Sequence, residues 1–291
     1  MLSILIPRFN YQVLPLISEL NSQCMSLGIE YEILCQDDCS DLFDDEIHKV
    51  NNLKNCSIER NERKKGRTQN RLILANKARY NLLLFLDADV FPEKQTFIKE
   101  YLKEYRPNIT LFGGYKYTEE YLTETNFFRY NYGKKREEKV ASIRNLTPHS
   151  YVFSGNMLIE KSIFLSCNFS EQQNLYGLDN FFSYNLYIKR YKIQHIDNSI
   201  YHNGLEDNAI FFTKSLESVA SRKYFLADKK DVEKVNSLLK NYNLIRKNKL
   251  TKIVSILFKC SEPLLKVLIF KKKTNLFAFD LYRLGYICNL K

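Results

Sequence analysis

The chain of 291 residues has no tryptophan, only nine glycines and six prolines, and no apolar stretch reaching the roughly 18 residues that a membrane-crossing helix needs. It shows no internal repeat and no low-complexity linker. With 45% hydrophobic and 26% charged residues it reads as globular rather than disordered. There is no Cys-x-x-Cys pair, and the seven cysteines (24, 35, 39, 56, 167, 260 and 288) have no metal-type spacing with histidine. That excludes a zinc site, and an odd count argues against a disulfide framework, leaving reduced thiols of a cytosolic protein. No basic leader precedes the strand-like Leu2-Ser3-Ile4-Leu5-Ile6-Pro7, so no export signal is read and the site is expected to face the cytosol. No zinc finger, RNP-type aromatic motif or Gly-rich loop accompanies the positive charge, which argues against nucleic acid as a partner. Without tryptophan, any stacking surface has to come from the twenty Tyr and twenty Phe, most of which belong to a core.

What the chain does have is a continuous apolar run, Leu82 to Leu86, that ends in Asp87-Ala88-Asp89. Such a run reads as a strand buried on both faces. Two carboxylates at its end are costly to bury unpaired, and a hard divalent cation such as Mg²⁺ or Mn²⁺ would compensate them. The alternative is a pair of solvated turn carboxylates ahead of a helix beginning near Pro92. Upstream, the pattern predicts strands at Ser3 to Ile6, Glu30 to Cys35 and Cys56 to Arg60. Helices are predicted at Leu14 to Leu27, Leu42 to Asn52 and Arg67 to Arg79. This alternation implies an α/β fold with a parallel, doubly wound sheet and a ligand at the C-terminal ends of its strands. Pro7 to Asn10, Asp37 to Asp41 and Asp87 to Asp89 all fall at that end.

Net charge is +11, and Lys240 to Lys273 holds ten Lys or Arg against the single Glu262. Short apolar pieces, among them Ile256-Leu257-Phe258 and Val267-Leu268-Ile269-Phe270, interleave with these lysines. The pattern fits a basic amphipathic pair of helices on an anionic lipid surface, with Lys271, Lys272 and Lys273 at the headgroups. The competing reading is a helical hairpin packed on the main domain.

Taken together, Ile6-Pro7-Arg8-Phe9-Asn10, Asp37-Asp38-Cys39-Ser40-Asp41, Gly66-Arg67-Thr68-Gln69-Asn70-Arg71 and Asp87-Ala88-Asp89 resemble the family 2 glycosyltransferases of GT-A fold, bacterial surface-polysaccharide type. Two departures stand out: Cys39 occupies a position where Gly is usual, and Leu72 one where Asn is usual. The resemblance covers about residues 1 to 215 and implies a Rossmann-like, mostly parallel sheet flanked by helices. Residues 216 to 291 then form a C-terminal helical, basic amphipathic appendage. By this likeness Pro7, Phe9 and Asn10 border the donor. Asp38, or alternatively Asp37, accepts the N–H of the base. Arg67 and Arg71 face the nucleotide phosphates, and Asp87 contacts the ribose or a metal-bound water. Asp89 holds Mn²⁺ or Mg²⁺ across the diphosphate.

The second half extends the likeness. Val152-Phe153-Ser154-Gly155-Asn156 resembles the segment behind the donor sugar, which marks Gly155 and Asn156. Tyr176-Gly177-Leu178-Asp179-Asn180 resembles the family's Gly-x-Glu-Asp stretch, with Leu178 in place of Glu. Asp179 there aligns with the general base, although it would equally suit a helix N-cap. His202 matches a position that completes the metal site, and His195 reads as a packed strand residue. The implied activity is inverting, metal-dependent transfer of a sugar from a nucleotide-diphosphate sugar, a UDP-sugar first among them, to a saccharide or lipid-linked acceptor in surface polysaccharide synthesis. The protein would be cytoplasmic, peripheral at the inner face of the cytoplasmic membrane. Against this stands a catalytically degenerate, membrane-associated binding protein on the same fold, for which the departures at Cys39 and Leu178 are the arguments.

Overall fold

The structure, a computed structural model, describes residues 1–169 and 175–290. The first half alternates as the sequence predicts: β1 (Leu2–Arg8), α1 (Leu14–Leu27), β2 (Tyr31–Asp37), α2 (Asp45–Asn51), β3 (Cys56–Arg60), α3 (Arg67–Lys77) and β4 (Leu82–Leu86). The apolar runs of β1 and β4 are almost wholly buried, which is why they sit centrally and side by side.

Pro92 does not open a helix. Val90–Pro92 is a short strand, β5, paired antiparallel with Ile200 to His202, and the next helix, α4 (Phe97–Glu104), begins five residues later. The helix expected from Leu42 likewise starts only at Asp45. The chain continues through β6 (Ile109–Phe112), β7 (Tyr115–Lys116), α5 (Phe127–Tyr132), α6 (Ala141–Arg144), β8 (Asn156–Glu160), α7 (Lys161–Cys167), α8 (Asp179–Ile188), β9 (Lys192–His195) and β10 (Ile200–His202).

The main sheet has the order β3-β2-β1-β4-β8-β6-β9, with β8 antiparallel to both neighbours and the other pairings parallel. A small second sheet has the order β5-β10-β7. Reversal at β8 brings the Ser154–Gly155 turn to the end of β4, beside Asp87. His195 ends β9 and is buried, bonded to Arg144 and to the Pro148 carbonyl. Burial brings its imidazole down to about 4.

Helix α9 (Asn208–Leu226) runs straight through residue 215 and leads to α10 (Ser237–Lys247), α11 (Thr251–Ile269) and α12 (Leu276–Asn289). The last two form a hairpin whose inner face joins the rest of the protein. Phe258, Leu265 and Ile269 of α11 and Phe279 and Tyr282 of α12 share one apolar cluster with Phe128 of α5 and Phe211 of α9. Burying each such side chain contributes about 1.5–3 kcal/mol, enough to hold the hairpin in place. The outer face of α11 is different. Ile253, Ile256, Leu257, Leu264 and Val267 are exposed on it, alongside exposed Lys252, Lys259 and Lys266. Among the described residues no helix is long and apolar enough to cross a membrane.

Candidate active site

The C-terminal ends of β1, β2 and β4 open into a cleft of about 600 Å³, whose wall includes Pro7, Phe9, Asp38, Arg67, Asp87, Asp89, Asp179 and His202. Residues from five separate sequence motifs thus meet on one surface.

Asp87 is the most tightly held. Arg67 donates to one carboxylate oxygen and Arg71 Nη2 to the other at 2.6 Å, while the Asp87 backbone N–H donates to the Gly155 carbonyl at 3.2 Å. Burial by itself would raise the carboxyl, but the two guanidiniums, with His202 nearby, hold it below its ordinary value. A Cβ at Gly155 would collide with the Asp87 carboxylate and the Tyr115 hydroxyl, so only glycine lets this turn approach so closely.

Asp89 takes a different environment. Its carbonyl accepts the Asn203 N–H at 2.9 Å, tying the end of β4 to the loop after β10, and its Oδ2 lies 3.7 Å from His202 Nε2. The imidazole is fixed by Tyr115 edge-on and by Tyr117 stacked at 5.7 Å between ring centroids. His202 Nδ1 is buried without a hydrogen-bond partner among the described residues.

Asn10, Asp37, Arg71 and Asn156, expected at the donor, do not line the cleft. Asp37 is fully buried and accepts from Ser40 and from Arg60 Nε at 2.8 Å. Asn10, at φ 48°, uses its Oδ1 to accept the Asp41 N–H. Asn156 is buried and bonds Tyr101 and the carbonyls of Gly114 and Asn198, pinning β8 to the second sheet. Arg71 is also buried and does not line the open cleft; it spans Asp87 and Asp179, with Nη1 3.7 Å from Asp179 Oδ1. Asp38 does face the cleft, but its carboxylate accepts the backbone N–H groups of Lys65 and Gly66 and so positions the start of α3, where Arg67 sits. Phe9 stands half exposed at the rim with Lys64 over its ring.

Asp179 is the first residue of α8, preceded by Leu178 at the N-cap position. It accepts from Ser154 Oγ at 2.8 Å and is 44% exposed, which keeps a lone pair open to the cleft. Leu178, where the resemblance leads one to expect Glu, is buried at 5% exposure. Cys39 sits at φ 61°, in the left-handed region that explains why glycine is usual there.

Sequence reasoning missed the layer behind His202. Glu137 ends a π-helical turn, Gly133–Glu137, and bonds Arg129 at 3.0 Å and the Tyr117 hydroxyl, while Arg129 donates to that hydroxyl at 2.9 Å. Burial would raise the Glu137 carboxyl, but Arg129 and the Tyr117 hydroxyl hold it low. Tyr176 and the ion pair of Lys214 with Glu206 close the far wall. No short motif carries Arg129, Tyr117 or Glu137; they converge only when α5, β7 and the π-helical turn pack.

The glycosyl transferase family 2 profile matches residues 3–165. Among solved structures, S. aureus TarS aligns over 98% of this chain at 15% identity and TM-score 0.54, and this chain spans about half (54%) of that one. The 1–349 portion of TarS, solved with UDP-GlcNAc, aligns over 99% of this chain and 90% of its own at 14% identity and TM-score 0.52. Mannosyl-3-phosphoglycerate synthase from Rubrobacter xylanophilus aligns over 77% of this chain and 74% of its own, at 17% identity and TM-score 0.54. No curated protein matches. The likenesses establish the fold, with its mostly parallel sheet and helical C-terminal region, as GT-A, and the profile match covers more than half of the sequence. The chain belongs to glycosyl transferase family 2.

Proposed function

We propose that the protein transfers a sugar, with inversion, from a nucleotide-diphosphate sugar to an acceptor hydroxyl, and that Asp179 is the base. The observation that carries this reading is the placement of Asp87, Asp89 and Asp179 on one cleft, with Asp179 also bordering a second cavity from which an acceptor could approach. Donor and acceptor then meet at a carboxylate open to both.

In this reading Pro7, Phe9 and Asp38 border the nucleoside, and Arg67, 45% exposed, reaches the diphosphate. Gly155 leaves room behind the sugar, while Asn10, Asp37, Arg71 and Asn156 act through the residues they hold. Asp179 takes the proton from the attacking hydroxyl, a role worth typically 10²- to 10⁴-fold. UDP is the nucleotide proposed first, since a structural neighbour is solved with UDP-GlcNAc.

The pair Asp89 and His202 fits a divalent cation: a carboxylate and an imidazole face each other across 3.7 Å. Among the described residues no third His, Cys, Asp or Glu joins them, so the other ligands would come from the diphosphate oxygens and water. When bound, Mg²⁺ or Mn²⁺ supplies Lewis-acid stabilisation of the leaving diphosphate.

The same proposal divides the chain into a catalytic part, residues 1–215, and a basic helical part, 216–291, that holds the enzyme to an anionic membrane surface inside the cell. There it would act on saccharide or lipid-linked acceptors of surface polysaccharide synthesis. The exposed apolar ridge of α11, flanked by lysines, supports this division. A screen of nucleotide-sugars for nucleoside diphosphate release with Mn²⁺ tests the activity. Binding of nucleotide without any release or transfer from any donor would favour the degenerate binding protein instead.

A further inference from the structure

Beside the donor cleft lies a second cavity of about 570 Å³, between the start of α8, the Pro148–Tyr151 turn, α9 and α12. Its lining shares Asp179 and Val152 with the donor cleft, so the two spaces adjoin at the proposed base. Its charge is unusual. Arg136, Arg222 and Arg283 all line it, yet Asp280 alone pairs with both Arg136 and Arg283.

Arg222 has no carboxylate partner among the described residues. Its Nε donates to the Ser218 carbonyl at 3.0 Å and its Nη2 to Ser218 Oγ at 3.3 Å. Ser218 in turn packs against Gly177, two residues before Asp179, where any added Cβ would strike it. Burial, together with the neighbouring Arg283, brings Arg222 down to about 10, so it stays charged at neutral pH. Two further polar atoms of the wall, Arg283 Nε and His149 Nε2, are buried without hydrogen-bond partners among the described residues. Three guanidiniums line the cavity against two carboxylates, Asp179 and Asp280, neither of which pairs with Arg222, and a guanidinium's planar fork suits a phosphate or carboxylate.

We propose that this cavity binds the acceptor, and that Arg222 and Arg283 hold an oxyanion group, phosphate or carboxylate, which the acceptor carries close to the hydroxyl being glycosylated. This rests on the transferase reading above and adds a substrate class to it: acidic acceptors. A neutral saccharide would leave the Arg222 charge without an anionic counterpart in a partly desolvated cavity, whereas an anionic one supplies it. Specificity of this kind comes largely from the cost of the unpaired group.

The test is calorimetry on the full chain saturated with UDP and Mn²⁺, which blocks the diphosphate site. The titrants are inorganic phosphate, sn-glycerol 3-phosphate, D-glycerate and glycerol. The anionic probes are expected to bind at least tenfold more tightly than glycerol, and the order of phosphate against glycerate tells which oxyanion the site takes. Arg222→Gln should lose that preference, with Arg222→Lys intermediate; UDP binding in the same samples reports that each variant is folded. Equal affinity of wild type for glycerol and the anionic probes overturns the proposal, and so does an anion preference that survives in folded Arg222→Gln. If the wild-type chain binds no nucleoside diphosphate at all, the transferase reading itself fails. A wild-type chain that binds UDP but shows no preference for the anionic probes counts against the acidic acceptor alone.

Discussion

The Arg71 guanidinium lies 3.7 Å from the Asp179 carboxylate while its Nη2 donates to Asp87 at 2.6 Å. One buried side chain thereby connects the strand end where the donor is proposed to bind with the carboxylate proposed to act as base. Arg71 follows from a helical-turn spacing with Arg67, but the two arginines have different surroundings. Arg67 is 45% exposed to the cleft and Arg71 is 4% exposed beneath it.

Arg71→Met should therefore be costly in two ways. Removing one partner of a buried ion pair leaves Asp87 undercompensated, which typically destabilises by about 3–5 kcal/mol. Arg67 still pairs with Asp87, so the lower end of that range is expected. Transfer should fall as well, because Asp179 loses a neighbour that orients it. Urea unfolding measures the first effect and kcat the second. A variant as stable as wild type would show that Arg67 alone satisfies Asp87.

The pH dependence of stability follows from the same pair. Asp87 is held below its ordinary carboxyl value in the folded protein, so the unfolded chain takes up its proton first as pH falls. Its stabilising contribution is full above about pH 4, the unfolded carboxylate value, and is lost as pH drops through the lower folded value. In Asp87→Asn the acid limb of the stability curve should be shallower. Equal slopes below pH 4 in the two proteins would place the acid-sensitive carboxylate elsewhere, with Glu137 next in line since Arg129 holds it low too.

Much of this arrangement could be read from the residues, and the reasons for the remainder are physical. The apolar runs of β1 and β4 and the carboxylates at the latter's end specify a buried parallel pair with a polar mouth, because little else accommodates that pattern. Pro92 was misleading: proline suits both a helix start and an edge strand, and only the pairing of β5 with β10, more than 100 residues away, decides between them. The inward turns of Asp37 and Asn156 were equally hidden, since their partners, Arg60 and Tyr101, lie in segments with no motif. The Arg129–Tyr117–Glu137 layer behind His202 exists only through tertiary packing.

Asp179→Asn should keep nucleotide affinity within about threefold while lowering transfer by 10²-fold or more, since the amide keeps the shape and the Ser154 hydrogen bond but takes no proton. Single-turnover rates beside nucleotide titrations separate the two quantities. Near wild-type transfer in this variant would shift the role to Glu206, which lines the same cleft.

Asp89→Ala and His202→Ala should each weaken UDP binding in Mn²⁺ and leave the weak binding in excess chelator unchanged. The reason is that both donors serve the cation rather than the nucleotide. Titration with and without chelator reads this directly. A chelator-independent Kd for the wild-type protein would exclude metal-assisted binding at this pair.

The outer face of α11 gives the last prediction. Leu257 and Leu264 are each 63% exposed, seven residues apart on one side of the helix, while Phe258 and Leu265 point into the shared core. Removing the whole hairpin would uncover Phe128 and Phe211, so substitutions on the outer face separate docking from folding more cleanly than truncation does. Leu257→Glu/Leu264→Glu should leave the melting temperature within about 2 °C, because surface changes away from packed features are usually worth under about 0.5 kcal/mol. The same double variant should lose most cosedimentation with vesicles rich in anionic lipid, through lost apolar insertion and added negative charge. Neutralising Lys252, Lys259 and Lys266 should weaken binding by about 1 kcal/mol per lysine, and added salt should mimic the effect on wild type. Cosedimentation of the double variant equal to wild type at low salt would mean that the α11 ridge does not meet the membrane.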